Sequence, residues 1–124
     1  MALNKPKYSL FKNGKYALEG FIELVQNESS FKLQVLLFVG MTIVAWLLPI
    51  GFVYKAILSI SLFIPIMAEV ANSSIERVVD LVTADYHILA KRAKDAGATL
   101  VLLSLIVTAG IWISVLLIAF KIVE

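Results

Sequence analysis

The sequence contains no cysteine and only one histidine, His87. A disulfide framework is therefore excluded, and so is a zinc site built on thiolates. A P-loop is missing as well, because Gly14-Lys15 is followed by Tyr16 and Ser9 stands where the leading glycine should be. The chain has neither the glycine-rich loop of protein kinases nor a Gly-x-Ser-x-Gly elbow. Any nucleotide chemistry must use an unrelated scaffold.

Charged residues are scarce and apolar residues are abundant. Of 124 residues, 16% are charged and 60% are hydrophobic, with a mean hydropathy of +0.92. Soluble domains are nearer one half apolar, so the composition predicts a single membrane domain over residues 1–124. The net charge of +2 does not indicate a nucleic-acid partner. Because residues 1–34 are rich in polar side chains, we expect no cleaved secretory signal.

Three apolar runs are long enough to cross a bilayer as helices, at about residues 33–52, 56–80 and 96–120. The second run extends into a polar cytoplasmic end. Pro49 and Gly51 predict a tight turn between the first two runs. Five of the eleven Lys and Arg residues lie in the N-terminal segment and four lie at residues 77–94, against one in the first turn and one in the C-terminal tail, which predicts a cytoplasmic N-terminus. Small residues in the third run favour close helix packing and a homo-oligomer.

The N-terminal segment, about residues 5–28, is predicted to be an amphipathic helix on the membrane surface. Its apolar side chains fall within an arc of about 160° at helical spacing. They are Ala17, Leu18, Phe21, Ile22, Leu24 and Val25. If the helix continues to Glu28, that carboxylate lies on the apolar arc, whereas a frayed helix end would leave it in water. The pattern alone does not decide between these alternatives.

Four polar side chains form one stripe, about 80° wide, at the end of the second run. They are Glu69, Asn72, Glu76 and Asp80. Ionisable residues at membrane depth usually face protein or an aqueous cavity. Glu69 follows a long apolar run and is the strongest functional candidate, whereas Asp80 could simply meet water. The stripe suits Mg²⁺ binding with proton transfer by a partly buried Glu, and it equally suits ion relay in a transporter.

The connection at residues 85–95 combines basic and aromatic side chains. Lys91, Arg92 and Lys94 could hold phosphates, and Tyr86 or His87 could stack on a base. The alternative is an ordinary positive cytoplasmic loop. His87 has no second histidine nearby, which makes it a weak candidate for a metal ligand.

Three segments, residues 27–32, 69–80 and 85–95, together resemble the signature of the prokaryotic integral-membrane diacylglycerol kinases, a family that includes undecaprenol kinases. Ala71 replaces a larger aliphatic residue, and Ser9 lies near the usual position of an arginine. The resemblance implies an all-α homotrimer of three-span subunits with a surface helix, in the bacterial inner membrane. It also implies transfer of the ATP γ-phosphoryl group to the primary hydroxyl of diacylglycerol, giving phosphatidate, with Mg²⁺ as cofactor.

The same resemblance assigns roles to residues. Glu69 would be the general base, Glu28 and Glu76 would hold the metal that bridges the ATP phosphates, and Asn72 and Asp80 would support the site. The residues expected to bind nucleotide are Tyr16, Glu28, Glu76, Asp85, Tyr86, His87, Lys94 and Asp95. Those expected to contact or support the lipid are Asn72, Phe31, Lys32, Gln34, Ala98 and Trp112.

Pro65, which precedes the second of these segments, is unexpected. It removes the helical hydrogen bond to the Ser61 carbonyl and is expected to kink the second span one turn before Glu69.

Two alternative functions stay open. One is phosphorylation of undecaprenol, and the other is ion transport by a small oligomer.

Overall fold

The computed structural model describes Lys7 and residues 9–123. Five helices and no strand occur within these residues. The helices are α1 (Leu10–Asn27), α2 (Ser29–Leu47), α3 (Phe52–Ser61), α4 (Phe63–Val82) and α5 (Ile88–Ala119). Helix α1 begins after Ser9, whose Oγ accepts a hydrogen bond from the Lys12 N–H at 3.4 Å. The first residues of the predicted surface helix lie outside the described residues.

Three helical segments are long and apolar enough to cross a membrane, and the chain is therefore an all-helical membrane protein. They are Ser29–Leu47, Phe52–Val82 and Ile88–Ala119. Pro49 and Gly51 lie in the short turn between α2 and α3, where Lys55 Nζ donates to the Trp46 carbonyl at 3.0 Å. α2 and α3 also pack against each other.

The second of these segments is interrupted at Leu62, three residues before Pro65. Pro65 has no N–H with which to bond the carbonyl of Ser61. Thr108 of α5 makes a long hydrogen bond, 3.5 Å, to that carbonyl instead. The helical pattern breaks at Leu62, and α4 continues unbroken through Pro65 and Glu69, so the kink at Pro65 stays a prediction.

The buried core lies where α2, α3 and α5 meet. It consists of Ala45, Leu58, Leu62, Trp112 and Val115. The buried Trp112 indole N–H donates to Ser61 Oγ at 3.1 Å, which satisfies a polar group that would be costly to leave unpaired in an apolar interior. Helix α4 packs along α5 more extensively than any other pair of helices, which places the polar end of α4 between α5 and the α1–α2 junction.

Candidate active site

Glu69 is buried on α4, with 6% of its surface exposed. Its Oε1 accepts a hydrogen bond of 2.9 Å from Ser30 Oγ, at the start of α2. Within the described part of the chain, Oε2 has no such partner. The Glu69 carboxylate is therefore held at one oxygen by Ser30, and its other oxygen makes no hydrogen bond within these residues.

Glu28 occupies the break between α1 and α2. Helix α1 ends at Asn27, and Glu28 adopts an extended conformation with φ −120° and ψ 115°. The carboxylate nevertheless turns toward α4, because Ser73 Oγ donates to its Oε2 and Arg77 Nε donates to its Oε1 at 2.9 Å. The helix therefore does end before Glu28, as in the frayed-end alternative, but the side chain contacts protein and is only 20% exposed.

Arg77 also reaches Glu23 on α1. Its Nη1 lies 2.6 Å from Glu23 Oε2. The hydrogen bond from the Arg77 guanidinium lowers the pKa of the Glu23 carboxyl below its ordinary value of 4.5. One face of α4 therefore contacts the α1–α2 region at three successive turns. The pairs are Arg77 with Glu23, Ser73 with Glu28, and Glu69 with Ser30.

A second face of α4 is directed toward α5. Asn72 is buried, its Nδ2 lies 3.4 Å from Glu76 Oε1, and its Oδ1 has no hydrogen-bond partner among the described residues. This oxygen lies directly against Gly97. The predicted polar stripe is therefore divided, with Glu69 directed toward α2 and Asn72 toward α5.

Beyond Glu76, oppositely charged side chains pair around a cavity of about 430 Å³. Asp80 Oδ1 lies 2.6 Å from Lys94 Nζ, and Lys91 Nζ lies 2.6 Å from Asp95 Oδ2. Most of the residues predicted to bind nucleotide line this cavity. They are Asp85, Tyr86, His87, Lys94 and Asp95.

His87, which lines the cavity, is also the N-cap residue of α5. Its Nδ1 accepts the N–H of Leu89 at 3.1 Å and caps α5. The connection between α4 and α5 is therefore only residues 83–87, and the expected basic loop is wrong because Lys91, Arg92 and Lys94 lie on the first turns of α5.

The other predicted site residues are dispersed. Tyr16 is half-exposed on α1 and Lys32 and Ala98 are exposed, whereas Phe31 is fully buried and makes an edge-to-face contact with Phe21. Gln34 lines a small apolar pocket beside Pro65. Trp112 belongs to the core and contacts Ser61, eight residues before Glu69.

The oxygen donors fit a hard divalent cation. Among the described residues, no three His, Asp or Glu side chains surround one point. Mg²⁺ needs no such group, because it commonly takes one or two protein carboxylates and completes its shell with phosphate oxygens and water. Glu76 beside the unpartnered Asn72 Oδ1 offers this chemistry. Glu28 offers a further carboxylate, which Ser73 and Arg77 occupy.

Four contacting residues were missed by sequence reasoning, namely Glu23, Ser30, Ser73 and Arg77. A signal for two of them was present. Positions 69, 73 and 77 are separated by four residues and must lie on one face of a helix. Ser30 and Glu23 offered no such signal, because only the packing of α1 and α2 brings them to α4.

A membrane helix that buries a carboxylate and leads into a cavity lined by paired lysines and aspartates is typical of a functional site in a membrane protein. The model of the family described as prokaryotic diacylglycerol kinase matches residues 15–116. The chain is 34% identical to the diacylglycerol kinase of Pseudomonas aeruginosa over 82% of this chain and 83% of that protein.

Two further relatives agree. Identity is 32% to the diacylglycerol kinase of Escherichia coli K12, over 83% of this chain and 84% of the relative. It is 35% to that of Helicobacter pylori J99, over 83% and 80%. The chain belongs to the prokaryotic diacylglycerol kinase family, and it is therefore a kinase.

Proposed function

We propose that this membrane kinase transfers the γ-phosphoryl group of ATP to the primary hydroxyl of diacylglycerol, giving phosphatidate. Family membership makes diacylglycerol the lipid substrate. One observation carries the site assignment. The buried Glu69 and the cavity that collects five predicted nucleotide-binding residues lie on the same helix end, with Asn72 and Glu76 between them. The distance along α4 from Glu69 to Asp80 is about 16 Å.

Glu69 acts as the general base in this proposal. Ser30 holds Oε1, and Oε2 accepts the proton of the lipid hydroxyl. The hydroxyl oxygen then forms a bond to the γ-phosphorus while the bond from that phosphorus to the β,γ-bridging oxygen breaks, which releases ADP. Phosphoryl transfer requires alignment and charge neutralisation more than covalent participation by the protein.

The cavity beside α5 receives the nucleotide. Lys94, supported by Lys91, pairs with phosphate oxygens, and Tyr86 or His87 stacks on the base. Asp80 and Asp95 hold these lysines before ATP arrives. Tyr16 joins the site from α1.

Glu76 and Glu28 would hold Mg²⁺, with Asn72 in support. The chemistry supplied there would be neutralisation of charge on the ATP phosphates. Asp80 and Asp95 remain the hydrogen-bond acceptors of Lys94 and Lys91 around the cavity.

Helix α1 lies on the cytoplasmic surface of the bacterial inner membrane in this proposal, because ATP is cytosolic and the basic residues are concentrated at this end. Its exposed Phe11, Leu18 and Ile22 would enter the interface between headgroups and acyl chains. The lipid approaches laterally. Phe31, Lys32, Gln34, Ala98 and Trp112 contact it or support the helices that do.

The assembly is a homotrimer in this proposal. Large apolar side chains on α2 and α5 are exposed in a single chain, which supports contact with lipid and with other copies. Mixing Glu69→Gln chains with Glu28→Gln chains tests whether a site combines residues of different subunits. Restored activity supports sharing, and an inert mixture of folded chains contradicts it.

A transfer assay tests the function directly. Purified protein in lipid is incubated with γ-labelled ATP and Mg²⁺ together with diacylglycerol or undecaprenol. We expect label in phosphatidate. Preferential labelling of undecaprenol would identify the other substrate class, and label in neither lipid would contradict the proposed reaction. Ion flux into protein-containing liposomes without any transfer would instead support the transporter alternative.

A further inference from the structure

Arg77 lies between two carboxylates that come from the N-terminal part of the chain. Its Nη2 is 2.8 Å from Glu28 Oε1, and its Nη1 is 2.6 Å from Glu23 Oε2. Neither Arg77 nor Glu23 has a part in the reaction proposed above. The planar guanidinium bridges both acids at once, a geometry that lysine cannot reproduce.

Both oxygens of Glu28 are engaged. Ser73 donates to Oε2 and Arg77 to Oε1. A divalent cation that approached Glu28 would meet the positive charge of Arg77 at the same carboxylate. The cation and the guanidinium therefore compete for Glu28, and the guanidinium must shift for the cation to bind there.

Glu23 gives the displaced guanidinium a second partner. Glu23 lies on α1, and its carboxylate accepts hydrogen bonds from Arg77 Nη1 at 2.6 Å and Nη2 at 3.2 Å. These bonds do not involve the Glu28 carboxylate. Arg77 can keep this ion pair while its contact with Glu28 opens. The charge of Arg77 is then still compensated.

We propose that Arg77 is a positioning residue that holds the Glu28 carboxylate in the absence of nucleotide. A divalent cation that accompanies the nucleotide then displaces the Arg77 guanidinium from Glu28, and Glu23 assists by keeping its own ion pair with Arg77. The inference rests on the proposed role of Glu28 as a ligand of that cation. It concerns how readily the cation gains access to Glu28, and it assigns Arg77 no contact with the reacting atoms.

Two substitutions in the same cluster should then act in opposite directions. Arg77→Gln frees Glu28 and lowers the cation concentration needed for half-saturation. Glu23→Gln leaves Arg77 with Glu28 alone and raises it. We expect each shift to be about two- to five-fold, the range for a partly exposed ion pair. If Arg77 and Glu23 served only to hold the helices together, both variants would raise the cation concentration needed for half-saturation.

The readout is cation binding as well as turnover. Mn²⁺ is titrated into detergent-solubilised protein with a non-hydrolysable ATP analogue, and the free-ion EPR signal is followed. Half-saturating Mg²⁺ is measured in parallel in the transfer assay. The double variant Glu23→Gln/Arg77→Gln should behave like Arg77→Gln, because Glu23 acts only through Arg77.

Glu19→Gln is the matched control. It makes the same charge change on α1, where Glu19 pairs with the exposed Lys15 at 3.8 Å, and it should leave both titrations unchanged. Shifts in the same direction for Arg77→Gln and Glu23→Gln, or no shift in either, would overturn the inference. Glu28→Gln separates the two levels. If Glu28→Gln binds Mn²⁺ normally, the proposed role of Glu28 as a ligand fails. If Glu28→Gln binds Mn²⁺ weakly while Arg77→Gln and Glu23→Gln bind it like the unchanged protein, only the inference about Arg77 is rejected.

Discussion

Gly97 on α5 lies against the side-chain amide of Asn72 on α4, and a Cβ atom at position 97 would overlap Asn72 Oδ1 and approach its Cγ to 3.3 Å. Both residues are buried. The contact sets how closely α4 and α5 can approach at the level of Glu76. Glycine is required here for space, since the helix continues through the position with ordinary backbone geometry.

Gly97→Ala should therefore separate the two helices or displace Asn72. We expect a loss of about 1–3 kcal/mol in the free energy of unfolding, as for overpacking elsewhere, together with reduced phosphoryl transfer. Unfolding in detergent and the transfer assay measure the two effects. Gly40→Ala is the control, since a Cβ there meets no atom of the described residues within 4 Å. Equal effects of the two changes would contradict this role of Gly97.

Glu69→Gln should lower the rate of phosphoryl transfer at least ~100-fold, the scale of losing a general base. The amide retains the shape of the side chain and can still accept from Ser30, so folding and assembly should persist. Size-exclusion chromatography checks assembly, and Glu19→Gln provides the same charge change on exposed surface. Near-normal turnover in a folded Glu69→Gln protein would remove Glu69 as the base.

Lys94→Gln should raise the KM for ATP about ten-fold or more, because hydrogen bonds to charged groups are worth about 1.5–3 kcal/mol. The exchanged pair Asp80→Lys/Lys94→Asp keeps an ion pair across the cavity but moves the positive charge to α4. We expect it to regain stability relative to Lys94→Asp and not to regain ATP binding. Full recovery of the KM in the exchanged protein would argue that Lys94 serves only the ion pair.

The hydrogen bond between Trp112 and Ser61 should contribute to the packing of α5 against α3. A double-mutant cycle of Trp112→Phe and Ser61→Ala, measured by unfolding, is expected to give a coupling energy of about 0.5–1.5 kcal/mol. Additive effects of the two changes would show that the contact, 3.1 Å long in the structure, contributes nothing to stability.

The contact of α1 with α4 should weaken in acid. Arg77 lowers the pKa of Glu23 below 4.5, so the ion pair stabilises the docked helix above the unfolded pKa and is lost as the pH falls through the folded one. Because the chain has no cysteine, spin labels placed at Gln26→Cys and Leu81→Cys report the separation of the helices. We expect it to increase below about pH 4.5. Glu23→Gln should reduce this response, and an unchanged response would contradict the role of Glu23.

Sequence periodicity could place Glu69, Ser73 and Arg77 on one face of a helix, because that follows from about 100° of rotation per residue. It could not say what that face contacts. Glu69 meets Ser30 and Arg77 meets Glu23, across separations of 39 and 54 residues. Such contacts depend on how α1 and α2 are oriented, which local pattern does not specify. Pro65 shows the same limit. Its missing N–H was evident from the sequence, whereas the hydrogen bond from Thr108 to the Ser61 carbonyl depends on where α5 lies.

The sequence by itself determined that this protein is helical and lies in a membrane, and that Glu69, Glu76 and Asp80 lie along the end of one helix. Composition and spacing are enough for this, because water and hydrocarbon sort side chains by polarity before any tertiary contact forms. Only the tertiary structure decided that Glu69 is buried against Ser30 and that Glu23 and Glu28 pair with Arg77. It also decided that Asn72 leaves no room for a Cβ atom at Gly97. Those outcomes depend on distances between helices, and packing sets those distances to within the size of one atom.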